Sequence, residues 1–91
     1  MTPNRTLHVL IHGRVQGVGF RAWVHHHAEL HGLKGWVRNR RDGSVEAVLE
    51  GAADGVEAVV RVCERGPRGA SVERIEVSEE SPEGLSGFEV R

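Results

Sequence analysis

Apolar residues alternate with other residues near the start of the chain. The apolar side of this stretch comprises Leu7, Val9 and Ile11. Alternation with a period of two is typical of a β-strand that buries one face. The opposite face carries His8 and His12, which lie about 13 Å apart along a strand, too far to bind one metal ion together.

The apolar spacing then changes to three or four residues, which predicts an amphipathic helix that begins near Phe20 and ends at Gly32. The apolar stripe comprises Phe20, Val24, Ala28 and His31, with Trp23 at its edge. His31 is therefore expected to be a partly buried imidazole, and the run His25–His27 to be a solvent-facing surface. His27 and His31 have the spacing that zinc sites use, but no third ligand is evident and no metal site is predicted.

The middle of the chain predicts a hairpin and a second helix. A short strand at Gly35–Asn39 is followed by the turn signal Asp42-Gly43 and by a strand at Val45–Leu49. The second helix is expected to begin at a capping box formed by Asp54 and Glu57 and to end at Gly66-Pro67. Its apolar stripe comprises Val56, Val59, Val60 and Cys63.

Two further strands complete the pattern, one containing Val72, Ile75 and Val77 and a short one at Phe88–Val90. The element order is βαββαβ with a short extra C-terminal strand. This order predicts an α+β fold of the ferredoxin-like, split βαβ type, with two helices on one face of an antiparallel sheet.

Composition limits the class of protein. The chain of 91 residues is expected to form a single domain, with a polar N-terminal arm at residues 1–6. A formal charge of -1 argues against a broad nucleic-acid surface, and no apolar run approaches the ~20 residues that span a bilayer. One cysteine and no apolar leader favour a cytoplasmic protein, expected to be a monomer with a small-molecule partner.

The stretch Gly13–Arg21 connects the first strand to the first helix and contains three glycines. Backbone N–H groups in such a turn, followed by a helix N-terminus, form a concave surface that favours an anion. Arg21 adds a guanidinium suited to phosphate. The dinucleotide-binding and Walker patterns fail, because Ala22 and Val18 stand where each requires glycine. The predicted phosphate loop comprises Val15, Gln16, Gly17, Val18, Gly19 and Phe20.

Asn39 ends the second strand, which the right-handed crossover rule places parallel to the first, so Asn39 is expected at the same sheet edge as the loop. This set contains no Ser, Cys or Asp nucleophile and no metal-ligand cluster. Hydrolysis of an acyl phosphate needs neither, because the departing carboxylate has a pKa of about 4 to 5. Water could attack phosphorus while Asn39 orients it and Arg21 and the loop amides stabilise phosphoryl charge. Cys63 has no arginine six residues later and is predicted to be a core residue.

Gly13–Arg21 resembles the first signature of the acylphosphatase family, and the block Gly35–Gly51 resembles the second. The resemblance covers nearly the whole chain, and His31 departs from it where family members usually carry an aliphatic residue. It implies an enzyme that needs no cofactor, with Arg21 binding the phosphate and Asn39 positioning the hydrolytic water. Inorganic phosphate or another anion would bind as product or inhibitor.

Three other functions use the same fold. A non-enzymatic anion-binding module would hold phosphate without turnover. An RNA-binding domain would stack bases on sheet aromatics, but the third strand, Ser44–Glu50, has none. A metal-carrying ferredoxin-like domain would require paired cysteines in the first loop, and none occur there.

Overall fold

The computed structural model describes residues 4–91. Their elements, in chain order, are β1 (Asn4–Arg14), α1 (Phe20–Leu30), β2 (Lys34–Asn39), β3 (Val45–Ala52), α2 (Ala53–Arg65), β4 (Ser71–Glu79) and β5 (Phe88–Val90). The predicted order is confirmed. The predicted polar arm is too long, because Asn4, Arg5 and Thr6 pair with β3 as part of β1, and the rest of that arm lies outside the described residues.

The five strands form one sheet in the order β4-β1-β3-β2-β5. The four longer strands are antiparallel to their neighbours, whereas β5 runs parallel to β2, which makes the sheet mixed. Because β1 and β2 are both antiparallel to β3, they point in the same direction. Their C-terminal ends, Arg14 and Asn39, therefore lie at the same end of the sheet, on either side of β3.

The core lies between the sheet and the two helices. β1 and β3 contribute alternate residues, α1 contributes Phe20, Val24 and Ala28, and α2 contributes Val56, Val59 and Cys63. The strand residues that share this core are Leu7, Val9, Ile11, Val37, Val45, Ala47 and Leu49. Cys63 is fully buried, as predicted, and Val60 is only partly buried at the edge of the stripe.

Two predictions at helix ends are wrong. Helix α2 begins at Ala53 with Ala52 as its N-cap and no side-chain cap, so Asp54 lies within the first turn instead of forming a capping box. A carboxylate there still interacts favourably with the helix dipole. His31 is exposed because α1 ends at Leu30 and the helical period stops there.

The chain leaves α1 through a Schellman arrangement. The N–H of Gly32 donates to Glu29 and the N–H of Leu33 donates to Ala28, at 3.1 and 2.9 Å. Leu33, not His31, therefore places its side chain in the core, where it is 4% exposed.

The face of the sheet opposite the helices carries a buried carboxylate, Glu46. Its oxygens lie 2.6 Å from His8 Nε2 and 2.6 Å from Arg38 Nε. Burial raises the pKa of Glu46, but the hydrogen bonds from His8 and Arg38 outweigh burial and leave the pKa below its ordinary value. These hydrogen bonds connect the three strands β1, β3 and β2. Their partner on β2, Arg38, directly precedes Asn39.

Candidate active site

The loop between β1 and α1 is anchored by apolar side chains at both ends. Val15 and Phe20 are 1% and 2% exposed and belong to the core cluster, and Val18 packs against that cluster from the middle of the loop. Because these three side chains point inward, the main chain between them is held at the surface in a fixed shape.

Gly17 and Gly19 allow the loop to turn. Their φ angles are 75° and 81°, in the left-handed region that side chains with a Cβ rarely adopt. Gly19 is also the N-cap of α1, and its carbonyl accepts the N–H of Trp23 at 3.0 Å. Glycine at both positions is what permits the loop to fold back onto the start of the helix.

The loop leaves its N–H groups available. Within residues 4–91, no main-chain carbonyl accepts a hydrogen bond from the N–H groups of residues 16–19. Helix α1 has no side-chain N-cap and no acidic residue in its first turn, so its partial positive charge is not offset by a neighbouring carboxylate. The arrangement is suited to an anion.

Arg21 lies on the first turn of α1 with its side chain exposed to solvent. Its Nη1 donates to the main-chain oxygen of Arg91 at 3.2 Å. Arg91 is itself held next to β2, because its N–H donates to Val37 at 2.8 Å and its guanidinium lies 4.8 Å from the centre of the Trp36 ring. The residue that follows β5 thus supports Arg21, the arginine of the cleft.

Asn39 is the last residue of β2, opposite Val45 of β3 and partly buried. The hairpin turn that follows is closed by a hydrogen bond of 2.9 Å, which the N–H of Arg40 donates to the carbonyl of Ser44. The carboxylate of Asp42 accepts from the N–H and the hydroxyl of Ser44, at 2.9 and 2.6 Å, and these bonds lower the pKa of Asp42. Asn39 therefore adjoins a turn that several hydrogen bonds hold in place.

Loop, arginine and asparagine meet in one cleft of about 360 Å³. It is lined by Val15, Gly17, Gly19, Phe20, Arg21, Ala22, His25, Asn39 and Val90. Within the described part of the chain, no carboxylate side chain lines this cleft, and its only permanently charged side chain is the guanidinium of Arg21. The cleft therefore has a positive electrostatic character.

Comparison with known proteins identifies the family. The acylphosphatase family model matches residues 7–90, nearly the whole chain. The chain belongs to the acylphosphatase family. It is 54% identical over 91 residues to an acylphosphatase of a Synechococcus species, covering 100% of this chain and 97% of that protein.

Comparison with other acylphosphatases supports the same family. The chain is 56% identical over 93 aligned positions to the acylphosphatase of Trichormus variabilis, covering 99% of this chain and 92% of that protein. The crystal structure of the acylphosphatase from Bacillus subtilis superposes with a TM-score of 0.92 at 38% identity, covering 94% of this chain and 97% of that one. This chain is therefore an enzyme that hydrolyses acyl phosphates, and not a binding module without turnover.

The acylphosphatase cleft includes three residues that the sequence did not point to: Ala22, His25 and Val90. His25 could have been found, because the position four residues after Arg21 lies on the same side of the helix. Val90 could not, because only the pairing of β5 with β2 brings it to the cleft. Two predicted loop residues, Gln16 and Val18, do not line the cleft; the side chain of Gln16 faces the hairpin and that of Val18 faces the core.

The histidine run is only partly solvent-facing. His26 is exposed, whereas His25 lines the cleft and His27 packs edge-on against Trp23 with ring centres 4.5 Å apart. Burial, followed by the nearby charges of His26, Arg65 and His31, lowers the pKa of His27. Among residues 4–91, no group of three or more metal-ligating side chains is placed to hold a metal ion. Neither of the helices described is long and apolar enough to cross a membrane.

Cys63 is expected to resist alkylation in the folded acylphosphatase. It is fully buried, and burial, with a smaller effect of Glu64, raises the pKa of its thiol to about 12. Iodoacetamide should leave turnover of benzoyl phosphate unchanged, and mass spectrometry should detect labelling only in denaturant, because the thiolate is the reactive form. Rapid labelling of the native protein with loss of turnover would contradict this burial.

Proposed function

We propose that this acylphosphatase cleaves the carboxyl-phosphate bond of small acyl phosphates by direct attack of water on phosphorus. A P–O bond forms from the water, the P–O bond to the carboxylate breaks, and the water loses its proton to solvent. The products are a carboxylate and inorganic phosphate. The observation that carries the proposal is the set of N–H groups of residues 16–19 that have no main-chain acceptor within residues 4–91, beside Arg21 at a helix N-terminus.

The loop amides and Arg21 bind the phosphoryl oxygens. The guanidinium of Arg21 and the main-chain N–H groups of the loop border the region where charge is spread in the transition state, so they need little reorganisation as the bond breaks. The carboxylate leaves as a stable anion and requires no general acid. This chemistry calls for no resident cofactor, since the phosphoryl charge is met by groups of the chain itself.

Asn39 holds the attacking water. Its amide both donates and accepts, so it can orient a water molecule without changing protonation state. The rest of the cleft is lined by Ala22, His25 and Val90, which face the acyl group. The space there suits a small acyl group, such as that of acetyl, carbamoyl or glyceroyl phosphate. All of these residues come from one chain, so we propose that a monomer is active.

Isotope transfer tests the direction of attack. Benzoyl phosphate is hydrolysed in water enriched in oxygen-18, with a chelator present, and both products are examined by mass spectrometry. One labelled oxygen is expected in inorganic phosphate and none in benzoate. Label in the benzoate would place the attack at the carbonyl carbon and overturn the mechanism, and a reaction without enzyme gives the background to subtract.

A further inference from the structure

We propose that Gln16 is a positioning residue: its side-chain amide locks the phosphate loop to the β2–β3 hairpin and so sets Asn39 relative to the bound phosphoryl group. The inference rests on the proposed function, in which Asn39 holds the water. It assigns Gln16 a role through its side chain, separate from the donor that its main-chain N–H supplies to the loop.

The contacts of Gln16 fix its orientation. Nε2 lies 2.7 Å from the carbonyl oxygen of Arg40 and 2.9 Å from that of Ser44. Carbonyl oxygens only accept, so the nitrogen and not the oxygen of the amide must face them. Both N–H protons are used, and the loop is joined to two points of the hairpin by one planar group.

These two carbonyls belong to the turn residues that directly adjoin the Asn39–Val45 pair. Arg40 follows Asn39 directly, and Ser44 precedes Val45, the residue paired with Asn39 across the strands. The same carbonyls also accept from the hairpin itself, since Gly43 donates to Arg40 and Arg40 donates to Ser44, at 3.2 and 2.9 Å. Gln16 therefore contacts the hairpin at the point where its main chain determines the direction of the Asn39 side chain.

Asn39 depends on this support. Within residues 4–91, the side-chain amide of Asn39 has no hydrogen-bond partner of its own. The side-chain hydrogen bonds of the adjoining turn are made by Gln16 and Asp42. A water-orienting group has to be held within a fraction of an ångström of its productive position. Without the amide of Gln16, loop and hairpin would be joined only through the core beneath them.

A double-mutant cycle tests the proposal. Gln16→Met keeps the length of the side chain and removes the amide, and it is combined with Asn39→Ala. With benzoyl phosphate as substrate, Gln16→Met should lower kcat by about 10- to 100-fold and change the inhibition constant of inorganic phosphate by less than about threefold. In the Asn39→Ala background, the same change should lower kcat by less than about threefold, because both act through one group.

The outcomes of this cycle distinguish the role of Gln16 from that of Asn39. Additive effects of the two substitutions, or a Gln16→Met enzyme with unchanged kcat, would overturn the positioning role even if Asn39→Ala is slow. An Asn39→Ala enzyme with full kcat would instead overturn the role proposed for Asn39.

Two further variants guard against a loss of structure. Thr6→Val removes a side-chain hydrogen bond to Glu50 near the start of β1, away from the cleft, and should keep kcat within about twofold. If Gln16→Met unfolds at the assay temperature, Gln16→Asn, which keeps the amide on a shorter chain, serves in its place in the same cycle and is judged by the same criteria.

Discussion

Arg21→Ala is expected to lower kcat/KM for benzoyl phosphate by about 10³-fold or more and to weaken binding of inorganic phosphate strongly. Among residues 4–91, the guanidinium of Arg21 is the only permanently charged side chain that lines the cleft, and removal of one preorganised donor to transition-state charge commonly costs 10²–10³-fold. Steady-state kinetics and phosphate titration by calorimetry measure the two effects.

A control variant and a conservative variant accompany this experiment. Arg61→Ala removes an exposed arginine of α2, outside the cleft, and should leave both measurements unchanged. Arg21→Lys retains the charge but not the planar fork of donors, so it should recover only part of the loss. An Arg21→Ala enzyme with the phosphate affinity of the native enzyme would remove Arg21 from the proposed site.

Asn39→Ala should lower kcat by about 10²-fold or more while the inhibition constant of inorganic phosphate changes by less than about threefold. The reason is that Asn39 acts on the water, whereas the phosphate is held by the loop and Arg21. Inhibition by phosphate and turnover of benzoyl phosphate are measured on the same preparation.

The chain offers a matched control, since Asn4 is exposed at the start of β1. Asn4→Ala should behave like the native enzyme in both assays. A parallel loss of phosphate affinity and kcat in Asn39→Ala would assign the residue to binding and contradict its role with water.

Much of this fold is predictable because its core residues keep a strict period. Leu7, Val9 and Ile11 alternate, and Phe20, Val24 and Ala28 recur every four residues, so each local pattern agrees with the packing of the whole molecule. Arg21 and Asn39 could be placed together because chain direction and the crossover rule bring the ends of β1 and β2 to the same end of the sheet.

Other features depend on contacts that no local pattern contains. Glu46 interrupts the apolar run of β3, and its burial follows from two partners on different strands, His8 and Arg38. The amide of Gln16 is equally non-local, because nothing in the loop sequence indicates that a hairpin carbonyl lies within reach. The exposure of His31 follows from where the helix stops, which a periodic stripe does not reveal.

Strand β1 lies inside the sheet, between β4 and β3, and this position affects how the chain folds. Leu7 pairs with Leu49 on one side and with Glu79 on the other, so β1 can enter the sheet only after long loops have closed, each at an entropic cost. The β2–β3 hairpin closes over a few residues, since Asn39 already faces Val45, and it can form early. Mixed α/β domains with such distant pairings fold more slowly than helical bundles. The half of the cleft that carries Asn39 is thus local in sequence, while the half that carries the loop forms only when the sheet is complete.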